Sequence, residues 1–437
     1  MPATQAVPVA PVSRLACGCS DRWDESGGET EKVVATGSNP GEAASEVADL
    51  SPAGFPTGVS TRSEGAIDGR PKERSAMRKI ALDLGVRKTA FCEVKNGAVV
   101  QRATVTSVET LSSLLGPKEQ PAVVAIEACR EAWHVHDLLR SWGNEVVLVD
   151  TTRSRRLGIG QHGRKTDRID AEVLALALDR GGIPAAHVLS PHRRELRRWL
   201  GVRRALVESR ANLITTCRGL AREQGVVLPK CTVGIFVRKA RRAAGNVLAV
   251  LEPLLKQLDA INPEIAAAEA KLAELCETEP VVKLLMTAPG VGPIIAACFV
   301  SVIDDAKRFR SPHQVESYVG LVPSEDSSGG KRRLGAITKK GNPYLRSLLI
   351  EGAWGVLRHR DAKEPLRVWA EAVAERRSRK IAVTALARRL VGVLWAMWRD
   401  SKPYDPKLLA AASSRGTRQL AHSLQAQART LEVHAQP

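Results

Sequence analysis

Lys165-Thr166-Asp167-Arg168-Ile169-Asp170 runs directly into the apolar-periodic segment Ala171-Glu172-Val173-Leu174-Ala175-Leu176. Two carboxylates three positions apart at a helix start project from one face. Such a pair offers oxygen ligands to a hard divalent cation, which takes a few carboxylates and completes its shell with substrate phosphate. Acids are also favoured in the first turn of any helix, where they complement the helix dipole, so the pair needs company before it means metal. Asp83 and Glu127 supply that company. Asp83 sits inside the strand-like run Lys79-Ile80-Ala81-Leu82-Asp83-Leu84-Gly85, and Glu127 ends Ala122-Val123-Val124-Ala125-Ile126-Glu127. A carboxylate in an apolar strand carries a heavy desolvation cost unless it is paired or bound to metal. Asp83, Glu127, Asp167 and Asp170 are expected to converge over a sheet as a four-carboxylate cage. Two metal ions held there activate an attacking oxygen and stabilise a leaving one in phosphodiester cleavage. The competing reading makes Asp83 and Glu127 strand-end caps.

A second constellation is Gly320-Leu321-Val322-Pro323-Ser324-Glu325-Asp326-Ser327-Ser328-Gly329-Gly330-Lys331-Arg332-Arg333. Glycines after a serine pair let backbone approach a phosphate, and three cations, Lys331, Arg332 and Arg333, stand beside them. A serine hydroxyl there becomes a nucleophile if a metal or base activates it. Composition alone also suits a solvated loop. Thr338-Lys339-Lys340-Gly341-Asn342-Pro343 then opens a helix with Asn342 as N-cap and Pro343 at its first position. Lys339, Lys340 and Arg346 stand near that N-terminus, a suitable place for phosphate. A third motif, Pro289-Gly290-Val291-Gly292-Pro293, is either an amide-rich dock for a DNA backbone or a tight helix connection. His134 and His136 lack further ligand-type neighbours and read as ordinary helix residues. Trp395 and Trp398 with Leu390 and Leu394 have core spacing.

The elements that must position these groups change character along the chain. Residues 77–185 give a three-strand opening meander, with a hairpin turn at Asn96-Gly97, and then alternating strand and helix: an α/β pattern with a mixed sheet. An Asp-x-Gly strand opening a meander also occurs in the actin-like sugar kinase fold, but no phosphate-binding glycine loop follows here. Within 186–285, Arg193 to Glu223 and Ala244 to Glu277 read as long helices broken at Pro229, an antiparallel hairpin or coiled coil suited to dimerisation. Residues 286–404 read as helices with loops, and 405–437 as a flexible tail. Residues 1–76 are rich in Gly, Pro, Ser, Ala and acids without period, a disordered extension in expectation; structured sequence starts so abruptly at Met77 that Met77 is a candidate natural start.

The 437 residues carry a net charge of +18. Residues 1–76 hold 7 of the 65 Lys/Arg and 11 of the 47 Asp/Glu, so the remainder carries +22. A body this basic binds a polyanion, and binding by phosphate neutralisation weakens steeply with salt. No run of about 18 apolar residues stands out, so no membrane partner is expected. The eight cysteines include no CxxC pair, which argues against a zinc ribbon and a disulfide framework and suits a reducing cytoplasm.

In this order and at these separations the residues resemble one family. The motifs are Ala81-Leu82-Asp83-Leu84-Gly85, Ile126-Glu127-Ala128, Lys165-Thr166-Asp167 with Asp170-Ala171, Pro289 to Pro293, Gly320 to Pro323, Ser328-Gly329, and Ile337 to Asn342. From about Met77 to Tyr404 the chain is similar to the bridge-RNA-guided transposases of the insertion sequence 110 family, relatives of the Piv invertase. The resemblance implies a RuvC-like (RNase H-like) domain over 77–185, whose Asp-Glu-Asp-Asp set, here Asp83, Glu127, Asp167 and Asp170, binds Mg2+. It implies a coiled-coil arm over 186–285 and a mainly helical transposase domain over 286–404, with Ser328, or its neighbour Ser327, as nucleophile. Implied too are a phosphoserine intermediate, a structured guide (bridge) RNA that pairs with donor and target DNA, and dimers or tetramers in which the acids of one subunit complete the serine site of another. Lys165, Lys331, Arg332, Arg333, Lys339, Lys340 and Arg346 are the nucleic-acid contacts to expect. The setting is a bacterial cytoplasm, at the nucleoid. The alternatives are a RuvC-like nuclease using water, with Ser328 structural, and a non-enzymatic nucleic-acid scaffold.

Overall fold

A computed structural model describes residues 77–156, 167–326, 333–359 and 361–407, apart from the side chains of residues 152, 155, 156, 167 and 168. Its first element, β1 (Arg78–Leu84), is the centre of a five-stranded sheet with β2 (Thr89–Lys95), β3 (Ala98–Val105), β4 (Ala122–Glu127) and β5 (Glu145–Val149), in the order β3-β2-β1-β4-β5. β1, β2 and β3 form the antiparallel meander, while β4 and β5 run parallel to β1. The mixed sheet therefore matches the α/β expectation.

Local chemistry explains each piece. Asn96 and Gly97 both have positive φ, 54° and 77°, as a two-residue turn matching the twist of its flanking strands requires. β4 is buried at its first five positions because helices cover both of its faces, the usual state of a parallel strand. One face packs on α1 (Val108–Leu115) and α2 (Ala132–Ser141): Ile80, Leu82, Val124 and Ile126 meet Leu111, Leu115 and Leu139. The other packs on α4 (Asp167–Asp179): Ala81, Cys92, Ala125 and Val149 meet Ala171, Leu174 and Ala175. The small side chains Ala81, Ala125, Ala171 and Ala175 let helix and sheet approach closely. α3 (Thr151–Arg156) follows β5 directly. The periodicity of the sequence did not reveal α1. It is capped by Ser107, whose hydroxyl accepts from Thr110 N.

Asn144 is a buried polar joint. Its Oδ1 accepts from Ala122 N at 3.0 Å, and its Nδ2 donates to Leu115 O at 2.8 Å and Leu139 O at 3.3 Å. One side chain thus satisfies backbone groups at the end of α1, the start of β4 and the end of α2. Losing it would strand buried groups at about 1–3 kcal/mol.

The middle of the chain is an antiparallel helix pair, α5 (Pro191–Glu223) and α7 (Leu248–Glu277). Arg193 pairs with Glu279 at 2.6 Å, Arg203 with Glu269 at 2.7 Å, and Arg210 Nη1 donates to Asn262 Oδ1 at 3.3 Å. Each step along α5 is matched by an equal step back along the opposing chain, from Glu279 just past α7 to Glu269 and Asn262 within it. Between them lies a helix the sequence reading missed, α6 (Val233–Ala243). Its Phe236, Val237 and Ala240 are buried with Ile214, Cys217, Leu251 and Leu255 at one end of the pair.

The rest is a helical body: α8 (Pro280–Leu285), α9 (Pro293–Ile303), α10 (Pro312–Val319), α11 (Pro343–Leu357), α12 (Pro365–Arg376) and α13 (Arg379–Asp400). α13 has the length and mean hydropathy of a membrane span, but it is the central helix of this core. Leu386, Leu390, Leu394 and Trp395 are at most 2% exposed, and Trp395 Nε1 donates to Ala306 O at 2.9 Å. The expectation of helices and loops needs one amendment here. Pro323–Glu325 (β6) and Leu334–Ile337 (β7) pair as an antiparallel ladder, joined through Asp326 N and Arg333 O at 3.0 Å.

Candidate functional site

β1 and β4 lie side by side, with Ala81 abreast of Ala125 and Leu82 abreast of Ile126. Asp83 and Glu127 are the next residues after that last pair, on neighbouring strands that lie about 4.8 Å apart in the hydrogen-bonding direction. Side chains alternate across a strand, so both acids face the side that Ala81 and Ala125 face, where α4 packs. Both are half-buried, and both stand at the carboxyl ends of parallel strands, the edge where open α/β sheets bind their ligands. Glu127 pairs in turn with Val149 of β5, and Asp83 with Ala90 of β2.

α4 brings the second pair. It begins at Asp167, and Ala171 and Leu174, which meet the sheet, lie one and two turns on. Asp170 is half-buried, one turn before Leu174 and thus on the sheet-facing side. Two clamps hold α4 down. Glu172 accepts from Arg102 of β3 at 2.6 Å, and Asp179 Oδ2 accepts from the Gly97 amide in the hairpin turn at 2.7 Å. Gly85 closes β1 so tightly that a Cβ there would lie 2.5 Å from Lys88 O.

The sheet thus aligns Asp83 with Glu127 and presents Asp170 from the helix above the same face; Asp167 heads that helix, but its side chain lies outside the described residues. Among the described residues no three His, Cys, Asp or Glu side chains group closely enough to hold a metal ion. The donor chemistry itself suits a hard cation, because carboxylate oxygens are the ligands Mg2+ takes. Arg153, which motif reading passed over, stands in the first turn of α3, just after the β5 carboxyl end. Its side chain is exposed and 3.6 Å from Asp150. The run Thr151-Thr152-Arg153-Ser154-Arg155-Arg156 after a strand was the available signal.

Ser327, Ser328, Lys331, Arg332 and Lys165 lie outside the described residues. β6 and β7 lead into and out of the serine segment, and a backbone crossing anchors the pair of strands. Gly320 (φ 81°) and Gly341 (φ 89°) pass so close to the opposing chain that a Cβ would lie 1.8 Å from Lys340 O or 2.1 Å from Tyr318 O. Lys339 N donates to Gly320 O and Thr338 N to Val322 O. Arg346 Nη1 donates to Val319 O, Lys340 O and Gly341 O at 3.0–3.1 Å. Burial lowers the Arg346 pKa. Arg346 therefore has a structural job that its placement near a helix N-terminus did not disclose. Asn342 is the N-cap expected of it, accepting from Leu345 N at 3.1 Å. Lys339, Lys340 and Arg333 are exposed. The Pro289–Pro293 turn resolves as a helix connection, since Gly290 (φ 75°) packs a would-be Cβ 2.3 Å from Gly352 O of α11.

The sheet region and the helical body meet at α5. Arg194 Nη1 donates to Asp137 of α2 at 2.6 Å, and Arg194 and Arg197 both lie over the Trp133 ring, at 5.6 and 5.5 Å. Asp304, at the end of α9, takes His187 Nε2 at 2.5 Å and the Ser190 hydroxyl at 2.9 Å. Burial raises its pKa, but the bonds from His187 and Ser190 outweigh that and hold the carboxyl below its ordinary range. His192 Nε2 lies 2.8 Å from Glu279 Oε1, at ion-pair distance but without hydrogen-bond alignment.

Residues 80–223 match the profile of the DEDD transposases of insertion sequence 110, and residues 282–367 that of the transposase IS116/IS110/IS902 family. The chain is 30% identical over 298 residues to a probable family 20 transposase of Pseudomonas aeruginosa, covering 65% of this chain and 86% of that one. It is 26% identical over 345 residues to the transposase for insertion sequence element IS1111A of Coxiella burnetii, covering 76% and 93%. It is also 26% identical over 332 residues to the transposase for insertion sequence element IS1328 of Yersinia enterocolitica, covering 73% and 96%.

Proposed function

Because the chain belongs to the IS116/IS110/IS902 family of insertion-sequence transposases, we propose that it cuts and rejoins DNA with Ser328 as nucleophile and Asp83, Glu127, Asp167 and Asp170 as its acidic set. The observation that carries this reading is that Asp83 and Glu127 follow the last pair of the parallel β1–β4 register, at the strand ends and on the face that α4 covers. The strand order β3-β2-β1-β4-β5 supports a RuvC-like fold for 77–185. The apolar cluster between the sheet and α1 and α2, separate from that at the distal end of the helix pair, supports a division near 185. Leu196, Leu200, Leu272, Cys276, Val282 and Leu285 instead share one cluster with the helical body, so the near end of the pair is rooted in it.

In this reading the four acids hold Mg2+, which supplies charge stabilisation to a phosphodiester when bound. Ser328 Oγ gives up its proton and attacks phosphorus, the Oγ–phosphorus bond forms as the bond from phosphorus to the sugar oxygen breaks, and that oxygen takes up one proton in turn and leaves as a hydroxyl. The bond energy stays in the phosphoserine, so a second sugar hydroxyl reverses the step and rejoins strands without ATP. Ser327 is the neighbour to test beside it. Lys165, Lys331, Arg332, Arg333, Lys339, Lys340 and Arg346 contact nucleic acid. A structured guide RNA selects donor and target sites by base pairing, leaving the protein to read backbone and shape. The working particle is a homodimer or homotetramer at the bacterial nucleoid, with serine and acids drawn from different subunits.

A denaturing gel of the protein with its element-end DNA tests the chemistry. The expected result is a protein–DNA adduct that Ser328→Ala abolishes and Ser327→Ala retains. Metal-dependent nicking without adduct, intact in Ser328→Ala, would establish a water-using nuclease instead. Binding that survives loss of all four acids, with no strand breakage under any metal, would reduce the chain to a scaffold.

A further inference from the structure

The end of the helix pair farthest from the sheet is strongly basic. Residues 214–258 contain eight Lys/Arg and two Asp/Glu. Arg241 uses the nearby acid, pairing with Glu252 and with Asp259, both at 2.8 Å. Arg218, Arg222, Lys230, Arg238, Lys239 and Arg242 have no carboxylate partner among the described residues. Arg222, Lys230, Arg238 and Arg242 are exposed.

These charges are not scattered over a loose surface. Phe236, Val237 and Ala240 bury one side of α6 in the cluster at the end of the pair, and the Arg241 clip fixes α6 against α7. Helical spacing then puts Arg238 and Arg242, four residues apart, on the side opposite the buried one. Arg218 lies 5.4 Å from the Phe236 ring, with its Nε buried and without a hydrogen-bond partner. Arg222 stands one turn beyond it on α5. Like charges held together by a packed core repel one another, and the two acids of this stretch are too few to balance its eight cations. A polyanion balances them.

We propose that this tip is a second contact for duplex DNA, binding phosphates without reading bases. It is distinct from the acids, the serine segment and the cations assigned to them above. The occupant follows from charge and span. From Arg197, which leans on Trp133 of the sheet region, to Arg218 is 21 residues of α5, about 32 Å at 1.5 Å per residue. That is close to one turn of duplex, about 34 Å, so a stiff helix engaged at the base of α5 extends far enough to meet the tip. Phosphate contacts of this kind position DNA and carry no sequence information.

The test uses the full chain with Arg222→Gln, Arg238→Gln and Arg242→Gln combined, three exposed positions whose loss leaves the apolar cluster whole. Binding to a long duplex of about 40 base pairs and to a structured RNA of similar length is read by fluorescence anisotropy between about 50 and 200 mM salt. The expected result is a log–log salt slope smaller by about 2 to 3 for the long duplex and an affinity for it lower by at least about tenfold. An unchanged slope and affinity on the long duplex overturns the proposal. So does a loss confined to structured RNA, which would make RNA the occupant. The readout is binding, so it stands whether or not Ser328 forms an adduct.

Discussion

The acidic face and the serine segment are held by opposite means. Asp83 and Glu127 follow directly on the paired run Arg78–Leu82 with Ala122–Ile126 and are themselves paired to Ala90 and Val149, and α4 is clamped over them by Arg102 and the Gly97 amide. The serine segment is suspended between two short strands whose footing is a crossing of bare backbone at Gly320 and Gly341, gripped by Arg346. A ladder spreads its stability over many hydrogen bonds, so one side chain on it can change with little effect on the fold. A crossing with no room for a methyl group concentrates the requirement in two or three residues. In the acidic region chemistry and fold should therefore separate under mutation, and in the serine region they should not.

The largest effect should come from the acids. Asp83→Asn or Glu127→Gln is expected to cut strand cleavage by about a thousandfold, the loss of several kcal/mol of charge stabilisation, while the melting temperature holds. A matching collapse in stability would show that these carboxylates are structural caps. Next comes Gly320→Ala. A left-handed backbone and a would-be Cβ 1.8 Å from Lys340 O should cost more than about 2 kcal/mol in urea unfolding, with cleavage lost in parallel. Stability near wild type would dissolve the contrast.

Arg346→Met sharpens it from the other side. Losing charged bonds to three carbonyls should cost about 1.5–3 kcal/mol. A fall of about 1 in the salt slope of DNA binding with unchanged stability would instead make Arg346 purely a phosphate contact. Asn144→Ala serves as a control beneath the acids, expected to lose about 1–3 kcal/mol and keep its cleavage rate below the new melting point. The smallest effect is at the joint. The folded pKa of Asp304 lies below that of the unfolded chain, about 3.9. Its contribution is complete above that value and fades as pH falls through the lower folded pKa. Asp304→Asn should flatten the acid limb of a stability–pH curve in that range; an unaltered limb removes Asp304 from it.

The acidic half was legible because its logic is periodic. Asp83 and Glu127 interrupt apolar strands at one parity, Asn96-Gly97 demands a tight hairpin, and Asp167 and Asp170 precede an apolar helix face. The serine half was legible only as motif. Gly320 and Gly341 read as loop glycines because the backbone each one touches is about 20 residues away in the chain. Arg346 read as a phosphate ligand because its three carbonyl partners arrive from two different elements. α6 hid behind its charges: four cations in eleven residues mask the three buried positions that seat it.

By itself the sequence determined the alternation of strand and helix, the residue types of the acidic set and the excess of positive charge, because these depend on neighbours within a turn or a strand pair. Only the tertiary structure decided that Asp83 stands beside Glu127, that Arg346 grips a chain crossing, and that unneutralised cations gather at the end of a helix pair. Those are relations between distant segments, and their energies exist only once the backbone has brought the segments together.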